Sequence, residues 1–145
     1  MKIEPRKVFI SGPMSGYPNN NKEAFMEAER LLKDAGFSVM NPAWLECDEN
    51  FSAEDFLAID MAMLSRCDAI YQLDGWKDSL GAKAEFQSAL WAKKSVINHE
   101  WLKWYVDANK RRYKKYLEGG DNDIKKPEEY KDGTEIKGSL FRSLL

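Results

Sequence analysis

The strongest constraint on the fold is an alternation of short apolar runs with longer segments whose apolar residues recur at helical spacing. We predict strands at 7–11, 37–40, 69–73 and 95–98, and helices at about 22–35, 52–66, 81–92 and 101–117. Strands that alternate with helices form βαβ units, and these build a parallel sheet covered on both faces. The sequence therefore predicts an α/β fold, a flavodoxin-like or Rossmann-like three-layer sandwich with a mostly parallel sheet of four to five strands.

Local signals mark where these elements begin and end. Gly12-Pro13 stops the first strand, and Gly36 is well placed to cap the first helix at its C-terminus. Residues 52–55, Ser-Ala-Glu-Asp, match a helix-starting capping box. After Gly119-Gly120 the composition becomes charged and irregular. We therefore predict one domain over residues 1–118 and a C-terminal tail or oligomer arm over 119–145.

Composition narrows the classes of function. The formal net charge of −2 gives no electrostatic case for broad affinity to nucleic acid or membranes. Cys47 and Cys67 lack CxxC spacing, and His99 is the single histidine, so zinc is not expected. The N-terminus shows no secretion signal and the chain no membrane span, so we expect a cytoplasmic protein.

The predicted topology brings two loops together. In a flavodoxin-like sheet the first and third strands are neighbours, and ligands bind at the carboxyl ends of strands where the strand order reverses. The loops that follow these strands are Ser11–Gly16 and Asp74–Ser79. We expect the functional site between them.

The first loop consists of small residues that let backbone N–H groups approach a ligand. It has neither the Gly-Lys-Ser/Thr ending of a P-loop nor a GxGxxG fingerprint, and a plain strand-to-helix connection is the alternative. Its candidate ligand-binding residues are Ser11, Gly12, Pro13, Met14, Ser15 and Gly16.

The segment Asp78-Ser-Leu-Gly-Ala-Lys-Ala-Glu85 is more informative. Ser79 can cap the helix that starts near Gly81, and the free N–H groups at such a helix start favour anions. Glu85 lies about one turn further on, where the helix dipole is expected to keep its carboxylate ionised, as a nucleophile requires. The alternative is an ordinary glutamate on the helix surface.

Further acidic and aromatic residues flank these loops. Asp60 interrupts an apolar helical segment and therefore needs a partner or a site. Asp68 is interpreted as a capping or turn residue. Asp74 closes the third strand at the predicted site, and Trp76 is either a base-stacking residue or a structural cover for the loop.

Four segments in this order resemble the nucleoside 2-deoxyribosyltransferase superfamily. They are Phe9-Ile-Ser-Gly-Pro13, Asp60, Cys67-Asp-Ala-Ile70 and Ser79-Leu-Gly-Ala-Lys-Ala-Glu85. The resemblance spans about residues 7–98 and is strongest to a small bacterial and phage branch similar to 2′-deoxynucleoside 5′-monophosphate N-hydrolases. It implies a Rossmann-like enzyme. We expect no metal or organic cofactor, since the chemistry requires only a carboxylate, positioning of the sugar and a phosphate-binding loop.

The resemblance also implies roles for individual residues. Glu85 matches the glutamate that attacks C1′ of the deoxyribose, and Asp60 an aspartate that orients the sugar and assists the leaving base. Ser79 lies where nucleoside-acting members carry aspartate and monophosphate hydrolases carry serine. The Ser11–Gly16 loop would close over the sugar and phosphate, and a neighbouring subunit of a homodimer or larger assembly would complete the site. Phe9 and Gln87 depart from the family pattern, which has tyrosine and glycine there.

Different classes of function remain open. The last helix interleaves aromatic and basic residues, which is a pattern for binding single-stranded nucleic acid, although the same spacing describes an amphipathic helix docked on the core or on a second subunit. The same fold and site would also suit a non-catalytic nucleotide sensor, an N-glycosidase acting on NAD, or a base-exchanging nucleoside transferase.

Overall fold

The computed structural model describes residues 6–46 and 48–117, with side chains of the last helix described as far as residue 111. All four predicted strands and all four predicted helices are confirmed, with ends that differ from the prediction by one or two residues at most. In chain order the elements are β1 (Lys7–Ser11), α1 (Lys22–Asp34), β2 (Ser38–Met40), α2 (Ala53–Ser65), β3 (Ala69–Gln72), α3 (Leu80–Trp91), β4 (Ser95–Ile97) and α4 (His99–Leu117).

The four strands of the described chain form one parallel sheet in the order β2-β1-β3-β4. The predicted adjacency of the first and third strands is confirmed, because β1 pairs with β3 in a register that sets Ser11 opposite Gln72. The strand order reverses at this pair. The carboxyl ends of β1 and β3 therefore open the crevice in which such sheets bind ligands.

Side-chain alternation along the strands separates two cores. Val8 and Ile10 of β1 face α1 and α4, whereas Phe9 faces α2 and α3. By the same two-residue period, Ser11 and Gln72 lie on the α2 and α3 face of the sheet. The result is the three-layer α/β sandwich that the sequence predicts.

Two predicted local features are also confirmed. The Ser52 hydroxyl accepts a hydrogen bond from the Asp55 backbone N–H at 3.2 Å, and the Asp55 carboxylate accepts one from the Ser52 N–H at 2.7 Å, which completes the capping box of α2. Asp68 accepts hydrogen bonds from the backbone N–H groups of Arg6 and Lys7, so it is a structural residue that fixes the start of β1.

Helix α4 docks on the core of its own chain. Trp101 and Leu102 are buried in the cluster on the α1 side, and Trp101 stacks on Tyr105 with ring centroids 5.2 Å apart. Because these rings pack against each other and against the core, they do not form a surface on which nucleic-acid bases could stack. The predicted tail at 119–145 and Cys47 lie outside the described residues. Within the described part of the chain, no helix combines the length and apolar character needed to cross a lipid bilayer.

Candidate functional site

A cavity of about 470 Å³ lies at the carboxyl ends of β1 and β3, which is within the usual size range for small-molecule sites. Its walls come from the loop after β1, the turn after β2, the N-terminal half of α2 and the first two turns of α3. The cavity therefore lies where the sheet topology predicts a ligand site, and both predicted catalytic carboxylates line it.

Glu85 lies on the buried face of α3 and is only 4% exposed. The Ser11 hydroxyl, at the end of β1, donates a hydrogen bond of 3.2 Å to Glu85 Oε1. The other carboxyl oxygen, Oε2, is buried without a hydrogen-bond partner. The alternative of an ordinary surface glutamate is therefore wrong, because Glu85 is buried and lines the cavity.

The protonation predicted for Glu85 is also wrong. Burial first, and the negative charge of Asp60 second, raise its pKa from 4.5 to about 8, although the hydrogen bond from Ser11 acts in the opposite direction. The helix dipole favours the carboxylate only modestly, whereas removing a charge from water costs much more. The free protein therefore holds Glu85 mainly protonated at neutral pH.

Asp60 projects into the same cavity from α2, which is apolar on most of its surface. Its Oδ1 atom is buried without a hydrogen-bond partner, and burial raises the pKa of Asp60 to about 6. Because the charge of Asp60 also raises the pKa of Glu85, the two groups titrate as a pair. Between about pH 6 and about pH 8 the pair holds one proton.

The loop after β1 supplies one wall of the cavity. Gly12, Pro13, Met14 and Ser15 line it, whereas Gly16 is exposed outside it and Ser11 lies behind Glu85. A Cβ atom on Gly12 would stand 2.7 Å from Cβ of Leu73, so the close approach of this loop to the end of β3 requires glycine.

Ser79, just before α3, and Gly81, in the first turn of α3, also line the cavity, as predicted. The Ser79 hydroxyl accepts a hydrogen bond of 3.2 Å from the Ala82 N–H and caps α3. Asp74 does not line the cavity. Trp76 is buried against Phe86 with ring centroids 4.8 Å apart, which places it in the core beneath the loop.

Several residues of the site were missed from the sequence. Tyr17 and Asn20 line the cavity from the segment before α1, and Phe56 and Leu57 line it from α2. Residues 19–21, all asparagine, adopt positive φ angles, a conformation that asparagine tolerates better than most residues, so their run of three was a usable signal.

The described residues that line the cavity have acidic as well as apolar side chains. Asp60, Asp78 and Glu85 are its ionisable carboxyl groups, and no lysine or arginine lines the cavity within the described residues. Among those residues there is also no cluster of three or more His, Cys, Asp or Glu side chains that could hold a metal ion. The chemistry that these side chains offer is therefore proton transfer and carboxylate nucleophilic attack.

Fold and site together define a three-layer α/β protein with a pair of carboxyl groups in the crevice at its strand ends. The chain belongs to the DUF4406 family, whose model is described as a domain of unknown function and matches residues 6–98. The matched region contains all four strands and both carboxyl groups, and α4 follows it. A search among curated proteins found no match.

Proposed function

We propose that this protein is an N-glycosidase that cleaves the bond between base and deoxyribose in 2′-deoxynucleoside 5′-monophosphates. The observation that carries the proposal is Glu85, a buried carboxyl group held by Ser11 and facing a cavity that Asp60 shares. A glutamate with no role beyond the protein surface would be exposed to solvent. A module that only binds an anionic ligand gains nothing from two carboxyl groups beside that ligand.

The reaction divides into two balanced steps. Glu85 attacks C1′ of the deoxyribose, the bond from C1′ to the base nitrogen breaks, and the base leaves with a proton supplied by Asp60. Water then attacks C1′ and breaks the bond to Glu85, and its proton returns to the pair of carboxyl groups. This is the two-step logic of retaining glycosidases, in which one carboxyl group is the nucleophile and the other the acid and base.

The shared proton suits this chemistry. One group must be ionised to attack and the other protonated to assist the departing base, and a pair with pKa values of about 6 and about 8 holds a single proton near neutral pH. In the reacting form the proton resides on Asp60 and Glu85 carries the charge. A bound sugar whose developing positive charge lies next to Glu85 favours that arrangement.

Ser79 supports a monophosphate as the substrate. Its hydroxyl and the N–H groups at the start of α3 offer hydrogen bonds to a 5′-phosphate, whereas an aspartate at this place would repel it. The resemblance to the deoxyribosyltransferase superfamily points in the same direction. Under this proposal the enzyme works without a metal or organic cofactor, in the cytoplasm, with a second subunit of a homo-oligomer completing the active site.

A nucleoside is the second candidate substrate, with transfer of the deoxyribose to another base as the reaction. It is favoured by the three carboxyl groups of the lining and by the lack of lysine and arginine in its described part. An uncharged 5′-hydroxyl would meet no repulsion there. The two candidates share the chemistry at Glu85 and differ in the group that Ser79 contacts.

The test is incubation with deoxynucleoside monophosphates, deoxynucleosides, ribonucleotides and NAD, followed by chromatography for the free base. We expect release of base from one or more deoxynucleoside monophosphates, and loss of at least about 10³-fold in rate for Glu85→Gln. Glu23→Gln, which changes an exposed glutamate of α1, is the matched control and should retain full activity.

Each remaining outcome selects a different function. Base release from deoxynucleosides alone, or exchange between two bases, supports the nucleoside transferase. Release of nicotinamide from NAD supports an NAD-cleaving enzyme. If a nucleotide binds with no cleavage under any condition, the sensor interpretation replaces the enzyme.

A further inference from the structure

Gln72 is a buried polar residue that the proposed chemistry does not use. It ends β3, is 4% exposed, and neither its Nε2 nor its Oε1 atom has a hydrogen-bond partner. A buried amide without partners costs about 1–3 kcal/mol. Such an orphaned group in a native core calls for a partner nearby, which a rotation of its side chain can supply.

Its location identifies the group it serves. Gln72 lies beside Ser11 in the register of β1 and β3, on the sheet face that α3 covers. Neighbouring strands lie about 4.8 Å apart and glutamine is longer than serine, so the Gln72 amide can reach the carboxyl group that Ser11 contacts. The Glu85 Oε2 atom, which Ser11 does not contact, is buried there without a partner.

We infer that Gln72 is a positioning residue that hydrogen-bonds the Glu85 carboxyl group from β3, beside the Ser11 hydroxyl on β1. One contact then satisfies two orphaned buried groups. The terminal torsion of glutamine is soft, so the amide rotates at little cost. Its Nε2 donates to the ionised carboxylate, and its Oε1 accepts from the protonated acid. The charge-assisted bond to the carboxylate is the stronger of the two, so the contact favours the ionised form.

The neighbouring side chains explain why this role falls to Gln72. Phe9, one pleat earlier on the same face of β1, has no donor to offer. Gln72 does not line the cavity, so it acts on Glu85 from behind and does not contact the substrate. The other titratable groups on this side are Asp60 from α2, Asp78 from the turn before α3, and Cys67, which is buried in the same cluster.

The test measures the pKa of the Glu85 carboxyl group directly in the free protein. Side-chain carboxyl carbons are followed by NMR against pH in the unmodified protein, in Gln72→Met and in the control Gln87→Met, which makes the same change on the exposed face of α3. Loss of a donor to the ionised form raises the pKa of Glu85 by about 1 in Gln72→Met and leaves it unchanged in Gln87→Met. An unchanged Glu85 titration in a folded Gln72→Met protein overturns the inference.

A second measurement needs no variant of Gln72. In the unmodified protein, the side-chain amide resonances of Gln72 should shift with the Glu85 titration, and this shift should disappear in Glu85→Gln. An equal shift in both proteins would trace it to Asp60, Asp78 or Cys67 and overturn the inference, as would no shift at all.

The expected effect of Gln72 on turnover rests on the proposed function, whereas the two NMR titrations are independent of it. If deoxynucleotides are cleaved, Gln72→Met should lower kcat about tenfold with little change in KM and move the pH profile. Gln72→Glu should not restore the profile, because it adds another carboxyl group beside Glu85 and Asp60. If no substrate is cleaved, the proposed function fails while the titrations still decide the role of Gln72.

Discussion

The Ser11 hydroxyl donates a hydrogen bond to Glu85 Oε1 across 74 positions of sequence. This bond joins the end of the first strand to the second turn of α3, so it fixes the carboxyl group relative to the sheet. Burial alone would leave Glu85 free to choose among rotamers and almost wholly protonated. Ser11 opposes the rise in its pKa and aims the carboxyl group toward the cavity.

Ser11→Ala should therefore raise the pKa of Glu85 and lower turnover. The variant loses the donor that favours the carboxylate, so a larger share of the protein carries protonated, non-nucleophilic Glu85. We expect kcat about tenfold below that of the unmodified protein near neutral pH, measured by base release, and this difference should narrow under alkaline conditions, where both rates fall as the pair loses its proton. Ser88→Ala on the exposed side of α3 is the control. An equal loss at every pH would show that Ser11 acts only by packing.

Glu85 should make the protein less stable as the pH rises. Its pKa in the folded protein, about 8, lies above the ordinary 4.5, so the folded state keeps a proton that the unfolded chain releases between these values. The contribution of Glu85 to the free energy of unfolding is therefore greatest below pH 4.5, its ordinary pKa, and it decreases as the pH rises to about 8. The corresponding loss is on the order of 2–4 kcal/mol.

Urea unfolding of Glu85→Gln against pH tests this expectation. The variant has no charge to bury, so it should gain stability over the unmodified protein as the pH rises from about 5 to about 9. Glu23→Gln should follow the unmodified protein throughout. Parallel stability curves for Glu85→Gln and the unmodified protein would contradict the raised pKa.

Two glycines at the rim of the cavity should respond in opposite ways to alanine. A Cβ on Gly12 would stand 2.7 Å from Cβ of Leu73, whereas the nearest atom to a Cβ on Gly81 is the Ser79 hydroxyl oxygen at 4.0 Å. We expect Gly12→Ala to cost about 1–3 kcal/mol by overpacking. Gly81→Ala, in the first turn of α3, should be neutral or stabilise by up to about 0.5 kcal/mol. Thermal unfolding measures both, and a similar cost for the two would refute the close approach at Gly12.

Ser79→Asp separates the two candidate substrates. Aspartate caps helices as well as serine does, so the variant keeps the start of α3 while adding a negative charge to the cavity wall. We expect kcat/KM to fall about tenfold or more for deoxynucleoside monophosphates and much less for deoxynucleosides. Ser79→Ala provides the control for loss of the hydroxyl. Equal losses for both substrate classes in Ser79→Asp would show that the phosphate of the substrate does not bind at Ser79.

Much of the fold could be predicted because local and long-range signals agree. Apolar runs bounded by Gly, Pro and Asn indicated the strands, and the capping box at 52–55 and the cap at Ser79 indicated two helix starts. The rule that ligands bind where strand order reverses then placed the Gly12 loop beside the segment that leads to Glu85. Asp60, which lies on a different helix, was assigned to the site only through the family resemblance, and it lines the same cavity.

The features that could not be predicted from the sequence depend on three-dimensional packing. The pKa of Glu85 is set by how deeply α3 buries it, which no residue type or spacing reveals. Trp76 turns into the core because residues 76–78 form a short helical turn beneath the loop. Gln72 looked like an ordinary strand residue, since its lack of partners appears only when β1, β3 and α3 are assembled.

Mass spectrometry of the enzyme during its first turnover tests the central claim, that Glu85 attacks the sugar, most directly. In a deoxynucleoside monophosphate analogue, fluorine at C2′ of the sugar slows both steps, and a base that leaves readily keeps formation of the glycosyl-enzyme faster than its hydrolysis, so the glycosyl-enzyme accumulates. We predict a burst of base equal to the enzyme concentration and one sugar phosphate on the peptide that contains Glu85, with neither in Glu85→Gln. A full burst of base with the mass of the protein unchanged, or with the sugar on another residue, would contradict the account.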